Sequence, residues 1–394
     1  MTRFVVLFTV LFLASSTAAD AQTSDDLFDS QTLQEVRLFM NSRDLRELRE
    51  RFTENTYYTA DFQWRDIRVR NAAVRVRGVA SRSATKPGLR IDFNRYVTGQ
   101  EFLGLNSLAL DNTLLDPAMI RERTSMALID RMGQAAPRES FARLYINSVY
   151  QGVYTVVEPI DTHFLSRTLG ESSGYLFEYR FVTPYFAEYL GDDLGAYKVR
   201  FEPQTRQLEA DSVLYSPIHD LFREVNQDFD NVWRERVSQY IDLAQLVTHV
   251  AIETFLAEID GFLGTAGMAN FYLYRPAGQN IHRLLPWDRD TTFQQIDAPI
   301  FDRTDFNVLF SRALAFEDLR ALYLDVLERC ARSAAEDGWL EAEIARADSL
   351  IKDAVYEDTA KPFSNEAYDE AVAFMREFAR RRPAYVLEEV ARAR

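Results

Sequence analysis

The chain has 394 residues, with 45 Lys plus Arg against 60 Asp plus Glu, a formal net charge of −15 at pH 7. An excess of negative charge repels a phosphate backbone and argues against a nucleic-acid partner. Hydrophobic residues at 47% and aromatic residues at 13% describe a core-forming globular chain, not a disordered or fibrous one, long enough for two or three domains or one two-lobed unit.

In chain order, Arg3 precedes an apolar run over residues 4–14, and Ala19-Asp20-Ala21 supplies an A-x-A pattern, so residues 1–21 read as a secretory signal peptide. The run is shorter than the ~20 residues a bilayer requires. A secreted or periplasmic protein without stable membrane insertion is therefore expected. Residues 31–51 have helix-like spacing. Two alternating segments, 74–77 and 89–93, read as strands around the polar loop 78–88. Asp116-Pro117 and Gly133 bracket a helix over 117–132, followed by strands near 141–146 and 152–157 joined by a turn over 147–151.

Beyond residue 160 helices dominate, at 162–169, 218–225, 243–257, 316–334, 340–351 and 366–382, where Pro383 is expected to end or kink the last one. The pattern predicts an α+β fold of two lobes, a β-rich N-lobe over 28–158 and a mainly helical C-lobe over 159–394. Within the second lobe, residues 270–274 and 281–285 are strand-like, and Pro276 to Asn280 carry turn residues, so a hairpin is expected there.

The single cysteine, Cys330, excludes an intrachain disulfide. It lies on the apolar stripe Leu319, Leu322, Tyr323, Val326, Leu327, and reads as a buried small hydrophobe. His163, His219, His249 and His282 are dispersed with no i, i+4 pair, which gives a histidine zinc site little support.

The hairpin carries the chemistry. In an antiparallel pair the residues before the first strand and after the second lie at the same end. Asp260 and Asn270 precede the first strand and Trp287-Asp288-Arg289-Asp290 follows the second, so carboxylates and an amide should converge. Such oxygens suit Mg²⁺ with phosphates, and the order fits phosphoryl transfer. Turn-forming or capping Asp residues are the bland alternative.

The chain resembles the CotH-type, spore-coat-H-like atypical protein kinases over residues 30 to 390. The resemblance rests on Val76-Arg77-Gly78 with Ser81-Arg82 and Lys86, on residues 105–112 followed by Ile120-Arg121, and on Tyr145-Ile146-Asn147 with Gly152-Val153-Tyr154. It continues through Glu158-Pro159-Ile160-Asp161, Asp260, Asn270-Phe271-Tyr272-Leu273-Tyr274 and Leu285-Pro286-Trp287-Asp288-Arg289-Asp290, the most specific block. By this resemblance the chain is expected to use ATP with Mg²⁺ or Mn²⁺ to phosphorylate a hydroxyl of an exported protein. Asp260 is similar to the catalytic aspartate and Asp288 to the metal-binding aspartate, with Asn270 and Asp290 as further members of the metal shell. Lys86 is similar to a phosphate-contacting lysine, a task Arg77 and Arg82 could share. The segment from Glu158 to Asp161, Ile160 included, looks like an interlobe hinge whose backbone groups hold adenine. Two features depart from the usual pattern: a long loop between Asp260 and Asn270, and Phe293-Gln294-Gln295 where a small residue is common.

Other motifs weigh less. Gly170-Glu171-Ser172-Ser173-Gly174 matches a nucleophile elbow, but a helix precedes it and a strand follows, the reverse of what the elbow needs. Arg380-Arg381-Arg382 reads as a solvated helix face. Arg121 and Arg123 suit phosphate or carboxylate partners equally. The aromatic run from Tyr175 to Tyr189 is read mainly as core. It also leaves open a catalytically inactive, kinase-shaped binding module, and the same carboxylates would serve a metal-dependent phosphohydrolase.

Overall fold

The computed structural model describes residues 22–394, so the expected signal segment 1–21 lies outside the described residues. After a short helix α1 (Ser24–Leu27), strand β1 (Leu33–Met40) turns Gln34, Val36, Leu38 and Met40 inward. The helix expected over 31–51 is thus half wrong. β1 pairs antiparallel with β2 (Tyr58–Trp64) and parallel with β6 (Glu139–Ile146). Two ladders satisfy the backbone groups that a helix would have satisfied internally, and tertiary pairing overrides an ambiguous period. Only α2 (Ser42–Glu50) is helical there, capped by Asn41 accepting from the Arg43 N–H at 2.9 Å.

With β3 (Ile67–Val76), β4 (Leu89–Asp92), β5 (Ser107–Asp111) and β7 (Val149–Val157), these strands close a barrel in the order β1-β2-β3-β4-β5-β7-β6. Inside it Phe62, Phe93 and Phe102 meet with ring centroids 4.7 to 5.4 Å apart. The β6–β7 turn is tighter than the sequence implied. Asn147 and Ser148 both take positive φ, 50° and 66°, which makes a two-residue connection matching the strand twist. Helix α3 (Arg121–Arg131) begins later than Pro117, because the Asp116 carboxylate accepts from the N–H groups of Ala118 and Arg121 at 2.9 Å and holds the preceding turns.

The second lobe contains α4 (Thr162–Leu169), α5 (Gly195–Lys198), α6 (Asp211–Val225), α7 (Trp233–Val237), α8 (Leu243–Phe255), α9 (Val308–Leu314), α10 (Glu317–Ala335), α11 (Trp339–Glu357) and α12 (Asn365–Ala393). Its small sheet has the order β11-β10-β8-β9, built from β8 (Tyr175–Tyr179), β9 (Phe201–Pro203), β10 (Phe271–Arg275) and β11 (Arg283–Pro286). α10 packs against α8 and α12, and buried Cys330 sits in that core, its thiol pushed up to about 12 by burial. No described helix is long and apolar enough to cross a membrane.

At α12 Pro383 does not end the helix, and Arg382 does not lie on the solvated face expected for it. The helix runs through Pro383, whose lost backbone bond is offset by a buried face that includes Phe378, Val386 and Val390. Arg382 is fully buried instead of solvated. Its guanidinium donates to the carbonyls of Thr254 (2.7 Å), Phe255 (3.1 Å), Ile296 (3.0 Å) and Ala298 (2.6 Å). It therefore caps the C-terminal end of α8 and anchors the segment after the second hairpin strand. Arg382→Met should cost at least about 3 kcal/mol in denaturant unfolding, since charge-assisted bonds contribute about 1.5 to 3 kcal/mol each. Arg380→Ala, losing only an exposed pair with Glu341, should stay within about 1 kcal/mol.

Candidate active site

β10 and β11 form the antiparallel hairpin the sequence implied, with Phe271 opposite Pro286, so Asn270 and Trp287 share one end. The long loop leading there does not separate Asp260 from Asn270. It folds on itself through Thr265 N–H to Ile259, Gly264 N–H to Gly261 and Ala269 N–H to Gly261. Asn270 Nδ2 then donates to Asp260 at its carbonyl (2.9 Å) and at Oδ2 (3.0 Å). Asn270 and Asp288 both adopt left-handed φ, 56° and 54°, a strained choice that Asn and Asp tolerate best and that here aims functional groups. Phe293 does the same at 59°, donating its N–H to the Leu256 carbonyl. The bend made elsewhere by a small residue is kept by an anchored aromatic.

A buried carboxylate supports this end of the hairpin. Glu253, in the last turns of α8, accepts from the fully buried Arg289, from His249 at 2.9 Å and from the Phe262 N–H at 2.8 Å. One side chain thereby joins the supporting helix to the loop after Asp260 and to the segment between Asp288 and Asp290. Glu258 adds a second tie, accepting from the Asp260 N–H at 2.8 Å and from the Thr291 hydroxyl.

Electrostatics define what the site lacks. Burial, then the charge of Asp111, pushes Asp288 up to about 6. Burial raises Glu258 to about 7 and, with Asp288 close by, lifts Asp290 well above the usual carboxylate range. Glu122 on α3 and Glu139 on β6 are raised in the same way by burial, and Glu122 also by the charge of Glu139. Asp260 is raised by burial, against the hydrogen bond from Asn270 and the charge of Arg289. So many oxygens with too little positive charge fit a hard cation. Among the described residues no three His, Cys, Asp or Glu side chains gather closely enough to cage an ion alone. Mg²⁺ ordinarily takes one or two carboxylates and completes its shell with water and phosphate oxygens.

The phosphate candidates separate. Arg77, just past β3, pairs with Asp111 at 2.5 Å, feels Asp288 and Glu122, and lies 5.6 Å from the Trp287 ring centroid. Lys86 is instead sealed against Asp358 in the α11–α12 loop, Nζ to Oδ2 2.8 Å, with side-chain exposures of 1% and 0%. Asp358 also accepts from the N–H groups of Val153, Ala360 and Lys361. A Cβ on Gly152 would stand 2.2 Å from its Oδ2, so glycine is required there. Arg82 is held within the N-lobe, donating to the carbonyls of Gly78, Phe52 and Glu54 and to the Asn55 side chain. Glu158, one residue past β7, accepts from Arg138 and Arg167, so its side chain ties the start of β6 to α4. Ile160 is buried in an apolar cluster with Leu176, Tyr272 and Leu285. Arg121 and Arg123 take carboxylate partners, Asp116 and Glu343.

Several site residues escaped sequence reading. His249 and Glu253, at i, i+4 in an otherwise apolar helix, were a usable signal of a buried polar device. Asp111, Glu122, Glu139 and Glu258 had no local signal, since only the fold brings them near Asp288 and Asp290.

A barrel lobe and a helical lobe, with aspartates gathered at a hairpin beside the barrel's Arg77, define a kinase-like protein. The CotH kinase protein family matches residues 74–386, and the chain belongs to it. Inner spore coat protein H of Bacillus subtilis (strain 168) is 23% identical over 362 residues, covering 90% of this chain and 96% of that protein. The Helicobacter pylori proinflammatory kinase CtkA aligns over 78% of this chain and 94% of its own at 11% identity, with a TM-score of 0.31, too loose a superposition to carry an argument.

Two outcomes follow from this geometry. Lys86→Met should lower stability by about 3 to 5 kcal/mol by stranding Asp358; unchanged unfolding with a raised KM for ATP would place the amino group at the nucleotide instead. Asp288 and Glu258 hold protons in the folded chain to about 6 and 7, where an unperturbed Asp and Glu release theirs near 3.8 and 4.5. The folded state then binds more protons than the unfolded state across that window. Stability without metal should fall as pH rises from about 4 to about 7, by up to about 1.4 kcal/mol per pH unit for each group between its unfolded and folded values. Calorimetry should show a flatter profile for Asp288→Asn with Glu258→Gln, and larger stabilisation by Mg²⁺ at pH 8 than at pH 5.5.

Proposed function

We propose that this chain is a secreted kinase that transfers the γ-phosphate of ATP to a Ser or Thr hydroxyl of an exported protein, with Mg²⁺ or Mn²⁺. The observation that carries the reading is the convergence of Asp260, Asn270 and Asp288 at one end of the β10–β11 hairpin in a chain of the CotH kinase family.

Asp260 orients the acceptor hydroxyl. Asn270 engages its Oδ2, leaving Oδ1 for the acceptor, and the nearby charge of Arg289 favours the ionised form that can take the proton. As the acceptor oxygen bonds to the γ-phosphorus, the bridge to the β-phosphate breaks, ADP leaves and the proton passes to Asp260. Asp288 and Asp290, with the Asn270 amide oxygen, supply hard oxygen donors for a divalent cation, which would neutralise the phosphates and the crowded carboxylates. Arg77 stands beside Asp288 to balance charge on the transferring group, a role the burial of Lys86 leaves to it. The backbone from Glu158 to Ile160 is the segment assigned to adenine, backed by the buried apolar cluster of Ile160 and Leu285.

The test is incubation of the mature protein with γ-labelled ATP, Mg²⁺ or Mn²⁺ and exported proteins from the same source. Asp288→Asn should abolish labelling, and Asp260→Asn should reduce it by about 10² to 10⁴, both with the fold retained. Labelling by Asp288→Asn at the parent rate would refute the assignment.

One observation favours a second reading, a kinase-shaped binding module without activity: the Lys86 amino group is sealed in an ion pair with Asp358. Thermal stabilisation by ATP with Mg²⁺ would favour the kinase, and its absence the module.

A further inference from the structure

The stretch that follows β8 is joined to the chain on both sides of Asp260. The β8–β10 register sets Glu178 opposite Tyr272, so carried two residues on it puts Arg180 beside Asn270, and residues 181–186 leave the sheet at the end that holds the aspartates. Met268, in the loop after Asp260, donates its N–H to the Tyr185 carbonyl at 2.9 Å. A Cβ on Gly267 would stand 2.6 Å from the Tyr185 backbone, so the two stretches touch main chain to main chain. Next along, the Phe186 carbonyl accepts from the Val308 N–H at 3.0 Å, and the Phe186 ring stands edge-on to Phe306 with 6.5 Å between centroids. Phe306 is held from the other flank. Its N–H donates to the Arg303 carbonyl at 3.2 Å, and the Arg303 guanidinium donates to the Glu258 carbonyl at 3.1 Å, two residues before Asp260.

The ledge so formed is apolar and open. Phe306 is 59% exposed, and Phe181 and Val182 on the stretch after β8 are about half exposed. Single exposed apolar residues are ordinary, but an edge-on aromatic pair fixed by main-chain bonds to both flanks of Asp260 is a preformed anchor for a partner's side chain. Its rim is acidic. Glu188, which accepts from the Phe186 N–H at 2.7 Å, and Asp305, which precedes Phe306, are both exposed, so an acidic guest is repelled there.

We propose that this ledge receives the acceptor protein: a bulky apolar side chain within about four residues of the Ser or Thr hydroxyl packs on Phe306 and Phe186, in a segment free of acidic neighbours. This docking rests on the kinase reading, which places the hydroxyl at Asp260. An extended segment advances ~3.3 Å per residue, so the residues flanking that hydroxyl cross the surface tied to the Asp260 loop. Phe186 and Phe306 have no part in holding ATP or metal. They select the acceptor.

Transfer from γ-labelled ATP by the full mature protein tests it with two acceptors. One is the exported proteins from the same source. The other is a peptide of Ala, Gly and Gln around a single Ser, made without Leu or with one Leu at each position up to about four residues from the Ser. The parent chain should use the best Leu peptide about tenfold more efficiently, in kcat/KM, than the Leu-free peptide, and a Glu beside that Leu should cancel the gain. Phe306→Ser, at an exposed position, should erase the Leu preference and lower labelling of the exported proteins about tenfold, while thermal stabilisation by ATP with Mg²⁺ stays at the parent value. Leu peptides used no better than the Leu-free one, or exported proteins labelled by Phe306→Ser at the parent rate, would overturn the docking ledge and leave the kinase reading in place. A parent chain that labels neither acceptor removes the kinase reading itself, and the ledge's role with it.

Discussion

The buried Glu253 carboxylate is the constraint on which the candidate site depends. It receives the Arg289 guanidinium, the His249 ring and the Phe262 N–H, so one acidic group sets the spacing between α8, the Asp260 loop and the Asp288 segment. A buried charge without partners costs several kcal/mol, which is why this group selects one arrangement of three chain segments. Its donors come from both sides of the hairpin. Moving either side would strand a charge, so Asp260 and Asp288 are held by the same constraint. Arg382 extends the arrangement, closing the exposed carbonyls at the end of α8 and the turn at 296–298 from the opposite side.

Around that frame the protein concentrates carboxylates that cannot all ionise comfortably. Asp111, Glu122, Glu139, Asp288 and Asp290 act on one another, with Arg77 the nearby cation that pairs with Asp111 and faces Asp288. Burial and mutual repulsion together raise these carboxyls, which is the electrostatic cost of gathering them.

The lobes are joined by more than the hinge. Lys86 from the barrel and Asp358 from the α11–α12 loop form a sealed pair beside Gly152, while Tyr150 donates to the Ala354 carbonyl and Arg143 pairs with Glu357. α11 and the loop after it therefore brace the barrel from outside, and α3, packed between the lobes, carries Glu122 toward the site and Arg123 toward α11. Lys86, which resembles a phosphate contact, is thus also a tie between the lobes through Asp358.

Local sequence determined a good deal. The hairpin with Asp260 and Asn270 before it and Asp288 after it was readable because strand period, turn residues and antiparallel geometry are short-range properties, and α4 was legible from Asp161 to Gly170 because caps act within one turn. The tertiary structure alone decided β1, where apolar spacing suited either period until the neighbouring strands claimed its backbone. It alone decided that Arg382 is buried, that Lys86 meets Asp358 272 positions away, and that Glu122 and Glu139 share a neighbourhood. The physical reason is common to all of them. A charged side chain's role is set by the charges and carbonyls it meets after folding, and those partners come from parts of the chain that no local pattern connects.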